Sequence, residues 1–434
     1  MKLEMANFPV REARFGKQNK YSNGILEINK NELVSLIIKD KRILSADVEM
    51  AFPEEKTRIV NVRDVVEPRV KVSGPGGFLP GILSPIETVG EGKTNRLSGV
   101  TVMVSSELTP TIMSGTTSQD ASIVDMWGQG ALVSPFGSTI NIVLVLKLAE
   151  NITEVDTNDT IMLTESVIAK HLAEVTIEAT PESIEVFELT KCDASLPRII
   201  YVASFLTNWH APHSGIAYYG LPIRESLPTF MHPNEFFDGA ITTDARKGSS
   251  GYTHTWGWLN HPVVLRLFKE HSKRLNFLGV ILQRTRFEAE HGKKVTAACT
   301  AQMAKLLGAD GVISTRTVAS GANFVDVMLT VQACEKKGIK TVLITPEWGG
   351  KDGTELPLVL YVPEATAMVS TGSTDHEFNL SAPDKVIGVE KGKLIHLFMG
   401  EPDISPWDEL TLDDYSITGA SDWWGDRKYT RIGY

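Results

Sequence analysis

The sequence predicts an α/β protein, with a β-rich N-terminal domain followed by a Rossmann-like domain with a mostly parallel sheet. Three observations carry this expectation. Short β-branched runs, punctuated by glycine-rich turns, fill the chain to about residue 190. From about Leu196 onward, strand-like and helix-like patterns alternate, as crossover connections require. The 434 residues are enough for two or three domains at roughly 150 residues each. The boundaries are placed at 1–190, 191–400 and 401–434, the last being an aromatic C-terminal tail.

In the first region, residues 33–39, 48–52, 70–72, 100–104 and 140–147 read as strands because Val, Ile and Leu dominate them. Ser73-Gly-Pro-Gly-Gly77, Gly90-Glu-Gly92 and Pro135-Phe-Gly137 supply the turns between them. One helix is expected after the capping residues Thr164, Glu165 and Ser166, where Val167, Ile168, His171 and Leu172 follow at helical spacing. In the second region, 198–205, 276–282, 310–315, 340–345 and 365–369 read as strands. Between them lie three predicted helices. Residues 262–273 begin at Pro262 and place Val263, Leu267 and Phe268 on one face, with His271 on the solvated side. Residues 295–307 turn Ala298, Met303, Ala304 and Leu307 inward and end at Gly308, and residues 323–337 end at Gly338.

Composition excludes several classes of function. Lys and Arg number 43 against 53 Asp and Glu, so the net charge is −10 and no basic stripe suits a nucleic acid. No apolar run approaches the ~20 residues that span a bilayer, and the N-terminus resembles no signal sequence. The expected location is the cytoplasm. The three cysteines, Cys192, Cys299 and Cys334, form no CxxC pair and are too few for a disulfide framework.

In an open α/β sheet, ligands bind beyond the carboxyl ends of the strands. Two of the loops expected there carry reactive groups. His210 and His213 share the loop Thr207-Asn-Trp-His-Ala-Pro-His-Ser-Gly215, three residues apart, which suits two ligands of one metal ion or a base and its orienting partner. Six of the ten histidines fall between residues 210 and 271, His254 among them. Two hydrogen-bonded loop histidines are the plainer alternative. Glu347 opens Glu347-Trp-Gly-Gly-Lys-Asp-Gly353 directly after a strand, where glycines let a ligand approach a general base. Glu235 stands among Phe230, Met231, Phe236 and Phe237, an apolar setting that raises a carboxyl pKa, or else it is a helix-terminal charge after Pro233. The glycine turns at 74–77 and 90–92 lack the Lys-Ser/Thr partner and the strand-to-helix context of a phosphate loop. The paired Trp423 and Trp424 are expected to pack on their own chain or on a partner.

The sequence resembles the precursor of the alpha and beta subunits of component B of glycine, sarcosine and betaine reductase, and the related D-proline reductase precursor. The resemblance runs over most of the chain. It is clearest at Val65-Val-Glu-Pro-Arg-Val-Lys-Val-Ser-Gly74, Phe237-Asp-Gly-Ala-Ile241, Asn276-Phe-Leu-Gly-Val280, Leu307-Gly-Ala-Asp-Gly-Val312 and Glu347-Trp-Gly-Gly-Lys-Asp-Gly353. His213, Glu235 and Glu347 fall at positions where that family is similar. The resemblance implies reductive C–N cleavage. In such proteins the precursor cleaves itself at a cysteine that becomes a pyruvoyl group, and a selenocysteine or cysteine on a second subunit attacks the substrate carbon. This chain departs at the processing point. Thr242-Thr-Asp-Ala-Arg-Lys-Gly-Ser-Ser-Gly-Tyr-Thr-His254 contains no cysteine. Ser249 and Ser250 are then the only alternative pyruvoyl source in the segment, since serine forms that group in other self-processing enzymes.

The sequence therefore leads to an uncleaved relative with no pyruvoyl group, a subunit of a hetero-oligomer. It would cleave a C–N or C–X bond of a small nitrogen-containing substrate with the thiol or selenol of a second subunit. His213, Glu235 and Glu347 are the expected catalytic residues. One alternative is a metal-dependent hydrolase of an amide-like or cyclic C–N bond, with His210, His213 and His254 holding a divalent ion such as zinc. The other is a non-catalytic, substrate-binding scaffold subunit.

Overall fold

The computed structural model describes residues 1–106, 122–150, 152–207, 216–243, 253–286, 288–317, 321–347, 358, 360–373, 376–388, 404–426 and 432–433. Its architecture is mixed α/β. The alternating patterns past Leu196 build a seven-stranded sheet in the order Thr229–Met231, Asn276–Thr285, Arg198–Leu206, Gly311–Arg316, Lys340–Glu347, Met368–Ser373 and Ile432–Gly433. The five inner strands are parallel and the two outer ones antiparallel to their neighbours. Arg198–Leu206 is read as a continuous apolar run because both of its faces are covered. Ile200 and Val202 pack under helices Glu290–Leu306 and Gly321–Lys336, while Tyr201, Ala203 and Phe205 pack against Trp258, Val264 and Leu267. This strand comes first in the chain yet lies between Asn276–Thr285 and Gly311–Arg316, so the strand order reverses at its carboxyl end.

A second sheet takes the order Ser122–Asp125, Thr57–Val66, Val100–Ser106, Ile140–Leu148 and Ile43–Ala51, with Lys385–Ile387 added in parallel on Thr57–Val66. A four-stranded sheet runs Ser183–Glu188, Lys2–Pro9, Gly92–Ser98 and Arg69–Ser73. Parts of the 401–434 stretch are built into the fold. Leu410–Asp413 pairs with Glu377–Leu380, Ile417 bridges to Ile123, and Ile432–Gly433 closes the parallel sheet.

The structure differs from the sequence reading at five elements, each for a physical reason. Residues 33–39 are not a strand, because Asn29 accepts from the Glu32 amide and caps helix Lys30–Ile37, which buries Leu33 and Ile37 four residues apart. The strand Thr57–Val66 was not foreseen because Arg58, Arg63 and Asp64 interrupt its apolar run, yet every residue in it is buried. Arg58 resolves its own burial with a two-pronged bond to Asp125 (2.7 and 2.9 Å) and three backbone carbonyls. The helix expected after Ser166 starts much earlier, at Glu154, capped by Thr153. Helix Glu290–Leu306 buries Thr296, Ala297, Thr300, Ala301 and Ala304, so its inner face is threonine-rich and Ala298 and Leu307 lie outside it. His271 is buried, not solvated. Its Nδ1 accepts from the Phe277 amide (3.1 Å), its Nε2 donates to the Thr190 carbonyl (3.1 Å), and Cys192 Sγ lies 3.6 Å from Nε2.

Candidate functional site

The carboxyl ends of the parallel strands carry buried polar groups. Arg316 ends its strand and is fully buried. Its guanidinium donates to Thr345 Oγ1 (2.7 Å), Asn323 Oδ1 (2.8 Å) and the Pro346 carbonyl (3.0 Å), and lies 4.8 Å from the Phe324 ring centre. Burial pulls its pKa down to about 9. Glu347 is the last residue of the neighbouring strand, half-buried, and pairs in register with Ser373. It stands directly after the carbonyl that Arg316 holds. Arg316 was missed in the sequence because nothing around it marks a single arginine at a strand end.

Two cavities share the 417–426 segment in their walls, and the smaller one lies at the strand ends. The larger, about 600 Å³, is walled by Phe136, Trp256, Trp423 and Trp424, with Thr253, His254, Asn260 and Asp426 among its polar lining. The smaller, about 260 Å³, lies beside Pro346, Thr371, Gly372 and Ser373. Segment 417–426 separates them. Ile417, Gly419, Ser421, Trp423, Trp424 and Asp426 face the larger cavity, while Ala420 and Asp422 face the smaller. Trp424 stays on its own chain, with its ring centre 4.3 Å from His261 and 5.3 Å from Trp258. His254 is buried edge-on against Phe136, at 5.5 Å between ring centres, and precedes helix Thr255–Leu259.

The other expected residues divide. His210 and His213 lie outside the described residues. Glu235 is buried, and burial raises its carboxyl above the ordinary range. It accepts from the Tyr218 and Tyr219 hydroxyls (2.7 and 2.8 Å) and from the His232 amide (2.8 Å), closing a capping box on the short turn after Pro233. It lines neither cavity. Among the described residues no group of three His, Cys, Asp or Glu is arranged to hold a metal ion. Gly74 and Gly92 form no phosphate loop either. A Cβ on Gly74 would meet the Glu91 carbonyl at 2.2 Å and one on Gly92 the Ser73 carbonyl at 2.2 Å, so these glycines let two turns cross. Among the described residues no helix is long and apolar enough to cross a membrane.

The segments that carry the family resemblance bond to one another. Arg69 donates to the Phe237 carbonyl (2.7 Å) and to Asn260 Oδ1 (2.8 Å), and pairs with Glu67 (2.5 Å). Asp238 accepts from Lys71 Nζ, the Gly90 amide (2.8 Å) and Thr94 Oγ1. The 242–254 stretch, which corresponds by resemblance to the family's processing point, starts where this lock ends. Thr243 Oγ1 donates to the Thr253 carbonyl, so the chain on either side of residues 244–252 is tied together. Those residues lie outside the described ones. With no cysteine between Thr242 and His254, the donor set does not fit a cysteine-derived pyruvoyl group.

The family model described as glycine/sarcosine/betaine reductase component B subunits matches residues 1–425. The chain is 33% identical over 442 residues to the glycine reductase complex component B subunits alpha and beta of Acetoanaerobium sticklandii, covering 100% of both chains. It is 32% identical over 394 residues to the proteins of the same name from Peptoclostridium acidaminophilum, covering 89% of each. To the sarcosine reductase complex component B subunit alpha of that organism it is 32% identical over 395 residues, covering 90% of each. No solved structure matches the chain. The chain belongs to the glycine/sarcosine/betaine reductase component B family.

Proposed function

We propose that this chain is the substrate-binding subunit of a reductase complex of the component B kind, working without a pyruvoyl group. It cleaves a C–N or C–X bond of a small nitrogen-containing substrate, in a hetero-oligomer whose second subunit supplies a thiol or selenol. One observation carries the reading. The cavity of about 600 Å³ is bounded by Thr253, His254, Trp256 and Gly257, the residues that directly follow the family's processing segment. The adjoining smaller cavity, beside Pro346, Thr371 and Gly372, supports the reading, because it lies at the carboxyl ends of two parallel strands, where ligands bind in sheets of this kind.

In the reacting complex, the partner's thiolate or selenolate forms a bond to the substrate carbon. The electron pair of the C–N bond leaves with nitrogen, which takes a proton from a group at the site. His254 lines the cavity, Glu347 ends a parallel strand, and His213 belongs to the 207–215 stretch of the sequence. These are the groups assigned to proton transfer. Glu235, held by two tyrosines and a backbone amide, is assigned to the scaffold. The aromatic walls provide the apolar surface that orients a ligand and excludes water.

The test has two parts. Intact mass of purified protein is expected to give one chain of 47.6 kDa that adds no phenylhydrazine, a carbonyl reagent. Two fragments parting between Thr242 and Tyr252 would overturn the pyruvoyl-free reading. Reconstitution with the thiol or selenol subunit is expected to release amine from substrate, with release abolished in Glu347→Gln and strongly reduced in His254→Ala. Full release by both variants would remove the catalytic assignments.

A further inference from the structure

We propose that Asp64 is the positioning residue of the large cavity, clamping Thr243 and Thr253 together and aiming His254. It is not itself part of the cavity lining. It lies in the fully buried strand Thr57–Val66, behind helix Thr255–Leu259. Its Oδ1 accepts from the Thr255 amide (2.9 Å) and the Val65 amide (2.8 Å), and its Oδ2 accepts from the Thr255 hydroxyl (2.5 Å). One carboxylate thus fixes both the backbone and the side chain of the residue next to His254.

The network ties Thr243 to Thr253. Thr255 Oγ1 also accepts from the Thr243 amide (3.1 Å), Thr243 Oγ1 donates to the Thr253 carbonyl, and the Trp258 indole donates to Thr243 Oγ1 (2.8 Å). The last described residue before the 244–252 segment and the first after it are therefore held by one hydrogen-bonded set rooted on Asp64. Three donors converging on one buried carboxylate are far more than a strand of this sheet needs for its own ladder, which uses only backbone groups. The arrangement suits a support for a functional turn.

For catalysis the inference rests on the cavity being the substrate site, but its test uses no substrate, so the two can fail separately. Asp64→Ala, Asp64→Asn and Thr255→Val are compared with the parent by imidazole NMR of His254 and by trypsin cleavage after Arg246 or Lys247. Asp64→Ala is expected to shift the His254 resonances and to speed that cleavage about tenfold, the scale of one buried hydrogen bond. Asp64→Asn is expected to restore both, since an amide at that place accepts from the Thr255 amide and donates to its hydroxyl. If Asp64→Ala does not fold, Thr255→Val removes only the hydroxyl bonds and is expected to move both readouts in the same direction by a smaller factor. Unchanged resonances and cleavage in a folded Asp64→Ala, or in Thr255→Val where Ala does not fold, would overturn the proposal. So would an Asp64→Asn protein indistinguishable from Asp64→Ala, because mere loss of charge would then explain the effect.

Discussion

The buried Lys71–Asp238 pair offers the most direct test of how this fold is held. Both side chains are almost fully buried, Asp238 completely, and the carboxylate also receives the Gly90 amide and the Thr94 hydroxyl. Lys71 has one further acceptor, the Glu91 carbonyl. Asp238→Ala would leave a buried ammonium without its counter-charge, and breaking such a pair on one side costs about 3–5 kcal/mol. The stranded amide and hydroxyl would raise that cost, each on a scale of ~1–3 kcal/mol, although shared relaxation keeps the sum below simple addition. Asp238→Asn keeps an acceptor for the amide and should cost about half as much. Replacing both members, Lys71→Met with Asp238→Leu, should cost less than Asp238→Ala alone, because no charge is then left behind. Urea unfolding with linear extrapolation measures all four proteins. A cost below about 1 kcal/mol for Asp238→Ala, or a double variant weaker than the single one, would refute the reasoning.

Three further outcomes follow from the same physical terms. Burial raises Asp64 to about 7, with Glu165 buried nearby and also raised, so the folded state holds a proton the unfolded chain has released. The stability this gives is present below about pH 4 and lost as pH climbs to about 7, by up to ~4 kcal/mol, and Asp64→Asn should flatten that slope in thermal melts. His261 is pushed down to about 3 by burial, so its contribution has the opposite sign: it is present above about pH 6.5 and lost as pH falls towards 3. A His261→Gln protein should therefore lose less stability than the parent over that acid range. Gly74→Ala, at φ +95° and 2.2 Å from the Glu91 carbonyl, should destabilise by about 2 kcal/mol or more in urea unfolding, and a neutral result would contradict the crossing of the two turns.

How far the sequence was legible depended on where each residue finds its partner. Parallel strands buried on both faces announce themselves as apolar runs, so the strands at 198–206, 276–285, 311–316 and 340–347 were read within a few residues. Thr57–Val66 was unreadable for the opposite reason. Its charges are legitimate in a core only because Asp125, some 67 positions away, and carbonyls near the C-terminus receive Arg58. The site shows the same divide. Thr253 and His254 stand beside the processing segment and were within reach of a local reading. The cavity wall was not, since Phe136, Trp256 and Trp424 meet only through the fold.

The distribution of the family resemblance bears on what can be inferred from it. Val65 to Gly74 and Phe237 to Ile241 are two of the segments where the resemblance is clearest. In the structure they are two halves of one lock: Arg69 on the Phe237 carbonyl, and Lys71 with Asp238. Such residues fix where the site is built, because the lock runs directly into Ile241–Thr243 and its bond to Thr253. They reach the cavity wall only through Asn260, which accepts from Arg69, and none of them lines either cavity. Under the proposed function the reaction is decided past the lock, and there the sequence between Thr242 and His254 lacks a cysteine. A family likeness carried by a scaffold lock is compatible with altered chemistry beyond it. The lock then predicts that Asp238→Asn impairs stability and site assembly together, while His254→Ala impairs the site alone.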